Sequence, residues 1–298
     1  MKAGTADLPL AGGTPDATVE LHPICCADVA MPEGWVHRET GVTGTLGALG
    51  LAGPARRSLR APIVAFLLEH PTAGAVLVDT GFHADVATAK RRALGPFNAL
   101  IFRDVRMRPE GTVADQVSAR GVPPEEVGLI VMTHLHADHA SGLSDFPNAT
   151  VLVSDAEWDA MHARDARFAG YHAGHLDPRL DYRLLSFPRP SAPGLERLGQ
   201  ALDVFGDGSL RLVSTPGHTR GHLSVLVRLR DREALLAGDA IYTLETLRDG
   251  RRPYRSVDRK AFEESVRALA AYDREHPGAL VIPGHDMEAW SALEERYR

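Results

Sequence analysis

The segment VMTHLHADHASG, residues 131–142, decides how this sequence is interpreted. Within six positions it places three histidines and an aspartate: His134, His136, Asp138 and His139. The segment overlaps the apolar run GLIVM, which predicts a buried strand. Ionisable side chains at the end of a buried strand must face solvent or bind a partner, because burying them alone is costly. Imidazole and carboxylate are good ligands for zinc and similar divalent ions.

The spacing within the motif indicates two metal ions. Residues i and i+2 of an extended segment point the same way, so His134 and His136 could bind one ion together. If the chain turns into a helix at Ala137, Asp138 and His139 are redirected toward a second ion. A mononuclear site would not need both pairs.

Further candidate ligands follow predicted strands in the second half of the chain. His218 lies in STPGHTRGH, Asp239 in LLAGDA and His285 in VIPGHD. The two carboxylate oxygens of Asp239 could bridge two ions. A single histidine at a strand end is usually a satisfied or exposed residue, but the complete set predicts a closed metal site.

The two halves of the chain share one pattern. In the first half, APIVAFLLEH and GAVLVDTG predict a hairpin that ends at Asp79, and a later helix precedes the strand that leads to His134. In the second half, GHLSVLVRL and EALLAGD predict a hairpin that ends at Asp239, and the amphipathic helix DRKAFEESVRALAAYDREH precedes the strand that leads to His285. This predicts a duplicated αβ unit whose two sheets face each other.

Several segments carry weaker predictions. Residues 1–18, rich in Gly, Pro, Ala and Thr, predict a mobile leader before a single domain over 19–298. TVADQVSARG predicts a helix closed by Gly121, whereas residues 83–111 give no regular pattern. Residues 41–58 predict a flexible surface loop.

The composition excludes several classes of protein. The 298 residues are 44% hydrophobic and 24% charged, with a net charge of −6, so a nucleic-acid partner is not expected. No apolar stretch approaches the roughly 20 residues that span a bilayer, and the start of the sequence lacks a signal-peptide pattern. Cys25 and Cys26 are adjacent, which favours two reduced thiols on a strand. We therefore expect a soluble, cytoplasmic protein, and the sequence leaves a homodimer open.

The motif HxHxDH, with the later GH, GD and GH, resembles the metallo-β-lactamase superfamily. LVDTG, which ends at Asp79, resembles that superfamily's early strand motif, and the resemblance extends from about residue 60 to 289. It implies an α/β fold, the αβ/βα four-layer sandwich with two facing mixed β-sheets and a dinuclear metal site between them.

The resemblance also implies roles for the candidate residues. The first ion is held by His134, His136 and His218, and the second by Asp138, His139 and His285. Asp239 bridges the two ions, Asp79 orients a ligand histidine from outside the ligand set, and His222 is a structural or supporting residue. The ions are zinc, with iron, manganese and cobalt also compatible, and no organic cofactor is implied.

Tyr242 narrows the resemblance to one group within the superfamily. GDAIYT places it three residues after Asp239, and together with GHD at 284–286 this is similar to quorum-quenching N-acyl homoserine lactonases. The resemblance implies that a metal-bridging hydroxide opens a lactone ring while Tyr242 stabilises the oxyanion and Asp138 passes a proton to the leaving oxygen. Alternatively, Tyr242 is a buried aromatic that anchors its loop. Ala137 departs from related lactonases, where Phe stands, and predicts a more open pocket floor.

Other functions stay open at this point. One is another hydrolase of the same fold, acting on a thioester or phosphoester. A second is a mononuclear-iron persulfide dioxygenase, and a third is a non-catalytic binder, against which the intact ligand set argues.

The middle segment, 156–190, holds residues with two interpretations. Three histidines could bind metal by spacing, but a surface loop is favoured: His162, His172 and His175. Four aromatic residues could line an acyl pocket, but ordinary packing is slightly favoured: Trp158, Phe168, Tyr171 and Phe187.

Overall fold

Thirteen strands form two β-sheets in the computed structural model, which describes residues 2–37, 58–187 and 198–298. The strands are β1 Gly4–Thr5, β2 Glu20–Pro32, β3 Ser58–His70, β4 Gly74–Val78, β5 Arg103–Met107, β6 Leu129–Val131, β7 Thr150–Ser154, β8 Asp181–Leu185, β9 Ala201–Asp203, β10 Leu210–Ser214, β11 Leu223–Arg228, β12 Glu233–Gly238 and β13 Leu280–Pro283. The first sheet has the order β1-β8-β7-β6-β4-β3-β2-β5, and the second has the order β13-β12-β11-β10-β9. The sequence predicted several of these strands from their apolar runs.

Eight α-helices accompany the sheets in the described ranges. They are α1 Glu33–Val36, α2 Asp85–Ile101, α3 Val113–Ala119, α4 Ala137–Ala140, α5 Asp155–Met161, α6 Leu244–Asp249, α7 Arg259–Glu275 and α8 Met287–Ser291. Helix α3 begins at a capping box between Thr112 and Asp115 and ends beside Gly121, as the sequence predicted. Helix α7 likewise covers the predicted amphipathic segment, with the Asp258 carboxylate accepting a hydrogen bond from the Ala261 N–H as its N-cap.

The predicted duplication is present in the strand topology. β3 and β4 form an antiparallel hairpin, and β6 then lies parallel to β4. β11 and β12 form the matching hairpin, with β13 parallel to β12. Since neighbouring parallel strands end at the same edge of a sheet, each unit delivers its aspartate beside its histidine-bearing segment.

The two sheets pack face to face, and helices cover their outer faces. Val64 and Phe66 of the first sheet share an apolar core with Leu212, Val225 and Leu236 of the second. Residues 234–237 of strand β12 are all apolar because both faces of the strand are buried there. Its alternate residue Leu235 belongs instead to a core shared with Leu269 of α7. The fold is therefore the αβ/βα four-layer sandwich of the metallo-β-lactamase fold.

Residues 83–111, predicted to be irregular, contain α2 and β5. Helix α2 is kinked, with non-helical backbone angles at Ala89 and at Gly95, the latter directly before Pro96. A glycine with positive φ followed by proline interrupts helical periodicity, so the sequence carried no continuous amphipathic signal there. The prediction was wrong for this physical reason.

The described part of the predicted leader, residues 2–18, lies on the domain instead of standing apart from it. β1 pairs in parallel with β8 at the edge of the first sheet, and the Leu10 N–H donates to the Val204 carbonyl at 2.7 Å. Leu8 and Leu10 are partly buried against the core between the sheets. The exposed edge of β8 accounts for this correction, because an edge strand offers unpaired backbone groups to a neighbouring segment.

Other predictions concern single features. Cys25 and Cys26 are free and buried on β2, which confirms the prediction of two reduced thiols on a strand. Among the helices of the described ranges, none has the length and apolar character needed to cross a membrane. Apart from Ser58, the predicted surface loop over 41–58 lies outside the described residues.

The contacts of the N-terminal segment can be tested by substitution. Replacing Leu8 and Leu10 together with Ala should lower the free energy of unfolding by about 1–3 kcal/mol, because two half-buried side chains are lost. Urea denaturation measures this, with exposed Asp7→Ala as the matched control. A change within about 0.5 kcal/mol would instead support a detached leader.

Candidate metal centre

The HxHxDH segment changes direction at His136. Strand β6 ends at Val131, and His136 has extended backbone angles (φ −66°, ψ 159°) as the N-cap of α4. The four-residue helix that follows carries Asp138 and His139. The predicted turn into a helix at Ala137 is therefore present, and it separates the two pairs of candidate ligands.

The structure brings all seven predicted ligands together between the ends of the two sheets. Their ligand atoms form three overlapping groups, each lying within 4.8 Å: His134, His136 and His218; His134, His139 and Asp239; Asp138, His139 and His285. Six of the seven side chains are buried, and His136 is partly buried. Each group could hold a metal ion.

The Asp239 carboxylate lies at the centre of the cluster. Its Oδ2 is 3.3 Å from His218 Nε2 and 3.9 Å from His134 Nε2. Its Oδ1 is 3.4 Å from His139 Nε2 and 3.2 Å from His285 Nε2. The two oxygens thus face two different sets of imidazoles, which is the arrangement that a bridging carboxylate requires.

The donor atoms of the cluster fit divalent metal ions. His134 Nε2, His139 Nε2 and Asp239 Oδ1 are buried and have no hydrogen-bond partner among the residues that the structure describes. Buried polar atoms are normally paired, so three such atoms pointing into one space indicate a partner other than protein. Imidazole nitrogens with carboxylate oxygens are the donor set that zinc, iron, manganese and cobalt accept.

Asp79 orients the motif from outside the ligand set. Its Oδ2 is 2.7 Å from His139 Nδ1 and also accepts the Thr133 hydroxyl at 2.8 Å, while Oδ1 accepts the Thr133 N–H at 2.8 Å. Thr133 Oγ1 is in turn 3.1 Å from His134 Nδ1. With both Nδ1 atoms engaged in this way, the Nε2 atoms of the two rings face the centre. Asp79 has φ 60°, a left-handed conformation that aspartate tolerates better than most residues.

The rings of His222 and His285 are also held by hydrogen bonds from the surrounding protein. His222 Nε2 accepts the N–H of Asp239 at 3.0 Å, and its Nδ1 is 2.8 Å from Thr215 Oγ1. His285 Nδ1 is 3.2 Å from the Pro62 carbonyl, so this nitrogen donates and leaves Nε2 for the centre. His222 thus fixes the backbone of Asp239.

Burial favours the neutral, metal-binding form of three imidazoles, those of His134, His136 and His218, whereas the pKa values of His139 and His285 are raised by nearby carboxylates. Burial lowers the pKa of His134 and His218 well below the ordinary value and lowers the pKa of His136 to about 4. Burial opposes the ionised form of Asp239, but the imidazoles of His285, His218 and His139 outweigh it and hold its pKa well below the usual range. Three neutral imidazoles and an ionised carboxylate are the protonation states in which these groups bind metal.

The glycine before His285 is required by close packing. A Cβ atom at Gly284 would lie 2.7 Å from Asp239 Oδ1, closer than real Cβ contacts allow. The Gly284 N–H donates to the Ile241 carbonyl at 2.9 Å, which holds the loop after β13 against the loop after β12. The GH dipeptide therefore places its histidine directly beside the shared carboxylate.

Tyr242 lies at the edge of the same cluster. Its hydroxyl is 3.4 Å from His218 Nδ1, and its ring centroid is 5.1 Å from that of His285. Burial, together with the charges of Asp239 and Asp138, raises the pKa of Tyr242 well above its ordinary value. The phenol therefore stays protonated and can donate a hydrogen bond.

A cavity of about 340 Å³ opens onto the cluster. His136, Asp138, His218, Asp239, Tyr242 and His285 line its inner end. Five apolar residues line much of the remaining wall: Met31, Trp35, Phe97, Ile101 and Phe102. Ala137, predicted to open the pocket floor, is fully buried and does not line this cavity.

The aromatic residues predicted for an acyl pocket do not line this cavity. Trp158 packs in the core and Phe168 is 51% exposed. Phe187 packs at the border of the core between the sheets. Tyr171 packs against the His136 ring at a centroid distance of 4.9 Å. Packing, the favoured interpretation, accounts for Trp158, Tyr171 and Phe187.

The three middle histidines do not join a metal-binding group in the described part of the chain. His162 Nδ1 is 2.8 Å from the Trp158 carbonyl. His175 is buried and not on a surface loop as predicted, because its Nε2 is 2.7 Å from the Ala93 carbonyl of α2. The ring of His172 lies against that of His175.

Sequence reasoning missed several supporting residues. Thr133 could have been suspected, because it immediately precedes His134, but Thr215 and Glu157 carry no local signal. Glu157, on α5, is fully buried and accepts hydrogen bonds beside the ligand loops.

Comparison with known proteins places this geometry in a family. The family model of the metallo-beta-lactamase superfamily matches residues 60–285. The chain belongs to this superfamily. It is therefore a hydrolase-family enzyme of the metallo-β-lactamase fold, a class that uses divalent metals.

Relatives and solved structures agree with this placement. The chain is 35% identical over 238 residues to the N-acyl homoserine lactonase AttM of Azorhizobium caulinodans, covering 78% of this chain and 85% of the relative. It is 32% identical over 279 residues to the probable metallo-hydrolase Rv2300c of Mycobacterium tuberculosis, covering 85% and 81%. A solved N-acyl homoserine lactone hydrolase, with N-hexanoyl-L-homoserine bound at its catalytic metal center, superimposes with a TM-score of 0.70 at 23% identity, covering 93% of this chain and 97% of that one. At that identity the structural match supports the fold alone.

Removing the shared carboxylate tests the centre. Asp239→Ala should lower the metal content of the purified, desalted protein by at least about half, because both groups of imidazoles lose their common anionic ligand. Elemental analysis by mass spectrometry measures the metal per chain. Asp231→Ala, at an exposed aspartate in the turn before β12, is the control and should keep full metal content. Full occupancy in Asp239→Ala would contradict the central role of this carboxylate.

Proposed function

We propose that this enzyme opens the lactone ring of N-acyl homoserine lactones with the help of two divalent metal ions. The observation that carries the proposal is the cavity, in which an apolar wall leads to the ligand cluster and to the protonated Tyr242 hydroxyl. A substrate that joins an apolar acyl chain to a polar, hydrolysable ring matches both ends. The relatives named N-acyl homoserine lactonase support the same substrate class.

The residues divide into two ion sites in this proposal. One ion is held by His134, His136 and His218, and the other by Asp138, His139 and His285. Asp239 would serve both sites, because its Oδ2 and Oδ1 face the two different sets of imidazoles. Two such ions, when bound, supply a hydroxide nucleophile near neutral pH and polarise the substrate carbonyl. The imidazole-rich ligand set favours zinc, and iron, manganese and cobalt are also compatible.

Two side chains act on the substrate itself. Tyr242 donates its hydroxyl proton in a hydrogen bond to the carbonyl oxygen, where negative charge develops during attack. Asp138 lies in the same cavity, with its Oδ2 3.4 Å from His285 Nε2. From there it would accept the proton released by the attacking water and pass it to the ring oxygen as the ester bond breaks.

The apolar wall binds the acyl chain. Trp35, Phe97 and Ile101 also line a second apolar cavity of about 380 Å³, so the wall continues outward from the site. Burial of acyl methylenes contributes about 0.8 kcal/mol each, which favours substrates with longer chains. Hydrolysis of such lactones destroys quorum-sensing signals. The two free, buried cysteines suit the reducing cytoplasm, where we propose that the enzyme acts.

A substrate screen with metal analysis tests the proposal. The metal-loaded enzyme is assayed by a pH indicator with homoserine lactones of short and long acyl chains, a simple γ-lactone, a thioester and a phosphodiester. We expect turnover of the acyl homoserine lactones, with two ions per chain. Preference for the thioester or phosphodiester would indicate another hydrolase of this fold, and one iron per chain with oxygen consumption on a persulfide would indicate a dioxygenase.

Removing one hydroxyl isolates the role of Tyr242. Tyr242→Phe should lower kcat on lactones by about tenfold or more, because the oxyanion loses one hydrogen-bond donor, while the metal content is unchanged. Steady-state kinetics and elemental analysis on the same sample measure both quantities. Tyr272→Phe removes the same atom from a buried residue of α7, whose hydroxyl donates to Glu233 and not to the ligand cluster, and serves as the control. Unchanged kcat in Tyr242→Phe would indicate that this ring only anchors its loop.

A further inference from the structure

Glu157 is a buried acid that the proposed chemistry does not use. It lies in the first turn of α5, beside the candidate metal centre, and it is fully buried. In the described ranges, no Lys, Arg or His side chain forms an ion pair with it within 4.0 Å. Burial raises the pKa of the Glu157 carboxyl group, and the hydrogen bonds that it accepts oppose this rise.

Three donors from three separate segments reach this carboxylate. Oε1 accepts the Leu135 N–H at 2.9 Å and the Tyr171 hydroxyl at 2.9 Å. Oε2 accepts the Gly221 N–H at 3.2 Å. Leu135 adjoins two candidate ligands, the Tyr171 ring packs on His136, and Gly221 lies in the loop that follows His218, so Glu157 is a common anchor for segments distant in sequence.

The first donor, the Leu135 N–H, holds the HxHxDH segment. Leu135 stands between His134 and His136, so its N–H fixes the backbone from which both rings project. The Tyr171 ring packs on His136 with a centroid distance of 4.9 Å, and the backbone of the two residues forms an isolated bridge. Glu157 therefore holds His136 from its backbone and, through Tyr171, from its ring.

The other oxygen, Oε2, holds the loop that follows His218 in the second half of the chain. Gly221 lies three residues after His218, and its carbonyl accepts the Ser154 hydroxyl at 2.7 Å. A Cβ atom at Gly221 would lie 2.1 Å from the Glu157 N atom, so only glycine permits this approach. The N-terminus of α5 is thus hydrogen-bonded to the loop that carries His218.

We infer that Glu157 is the positioning residue of the three-histidine group His134, His136 and His218. Its hydrogen bonds tie the segment that carries His134 and His136, and the loop that carries His218, to the N-terminal end of α5. In this way it sets the 2.9 Å distance between His136 Nδ1 and His218 Nε2. The second group has its own contacts, because Asp79 holds His139 and the Pro62 carbonyl holds His285. Asp79 also supports His134 through Thr133, so His136 and His218 are the ligands that depend most on Glu157. The inference rests on the proposed metal-binding function.

Substitution by glutamine separates this role from general stability. Glu157→Gln keeps the shape but offers only one carbonyl oxygen, so its amide N–H group meets either the Gly221 N–H or the two donors at Oε1. Loss of an outer hydrogen-bond partner of a metal ligand typically costs roughly 10–100-fold in metal affinity. We expect this loss at one ion-binding step only.

The experiment is a calorimetric titration of the metal-free full chain with Co²⁺. His218→Ala identifies the step that belongs to the three-histidine group, and His285→Ala identifies the other step. Glu157→Gln should weaken the His218-dependent step by roughly 10–100-fold and leave the other step within about threefold. Asp159→Asn, the same change at an exposed position on α5, should alter neither step.

Tyr171→Phe supplies a second, milder variant. It keeps the ring against His136 and removes one donor to Glu157, so it should weaken the same step by a smaller factor. If Glu157→Gln fails to fold, this variant decides the question alone. The thermal unfolding temperature of each metal-free variant, measured in parallel, shows whether an affinity loss accompanies general destabilisation.

The outcomes distinguish the inference from the proposal beneath it. Two intact binding steps in Glu157→Gln, or equal losses at both steps with a lowered unfolding temperature, overturn the positioning role while the metal site stands. If Glu157→Gln does not fold, an unchanged Co²⁺ affinity at the His218-dependent step of Tyr171→Phe also overturns the positioning role. If the unsubstituted protein binds no Co²⁺, the proposed metal-dependent function fails, and the inference fails with it.

Discussion

The burial of the Asp239 carboxylate among four imidazoles is the interaction on which the rest of the site depends. A carboxylate in this position is unfavourable alone, and the surrounding His285, His218 and His139 hold its pKa low enough for it to stay ionised. Its backbone N–H is fixed by His222, and its strand, β12, lies between β11 and β13. The charge at the centre is therefore supported by the hydrogen-bonded core of the second sheet, and the rings around it are placed by both sheets.

Much of this arrangement could be predicted because the ligands follow strands. Parallel neighbours end at one edge, so an aspartate after β4 and a histidine motif after β6 had to meet, and the same logic applied to β12 and β13. Glu157 could not be found in this way. Its role depends on how α5 approaches the loops at 135 and 221, and no periodicity in the sequence encodes that approach.

The errors in the sequence interpretation share a cause. Helix α2 was missed because Gly95 and Pro96 break its periodicity, yet this helix supplies Phe97 and Ile101 to the cavity wall. The sequence instead offered four aromatic residues of 156–190 as candidates for an acyl pocket, with ordinary packing slightly favoured. The N-terminal segment was expected to be mobile because it is rich in Gly, Pro, Ala and Thr, but the edge of β8 offers it a pairing partner. Tertiary contacts overrode local signals in each case.

The duplicated architecture has a consequence for stability. Each of the three ligand groups takes residues from both halves of the chain: the 134–139 motif supplies two members, and His218, Asp239 or His285 supplies the third. Neither half can complete a group by itself, so an ion bound there links the two sheets at their common edge. Because such an ion binds the folded chain and not its separated halves, its binding free energy adds to the packing between the sheets. The candidate metal centre and the interface that holds the sandwich together would thus be stabilised by the same ligands.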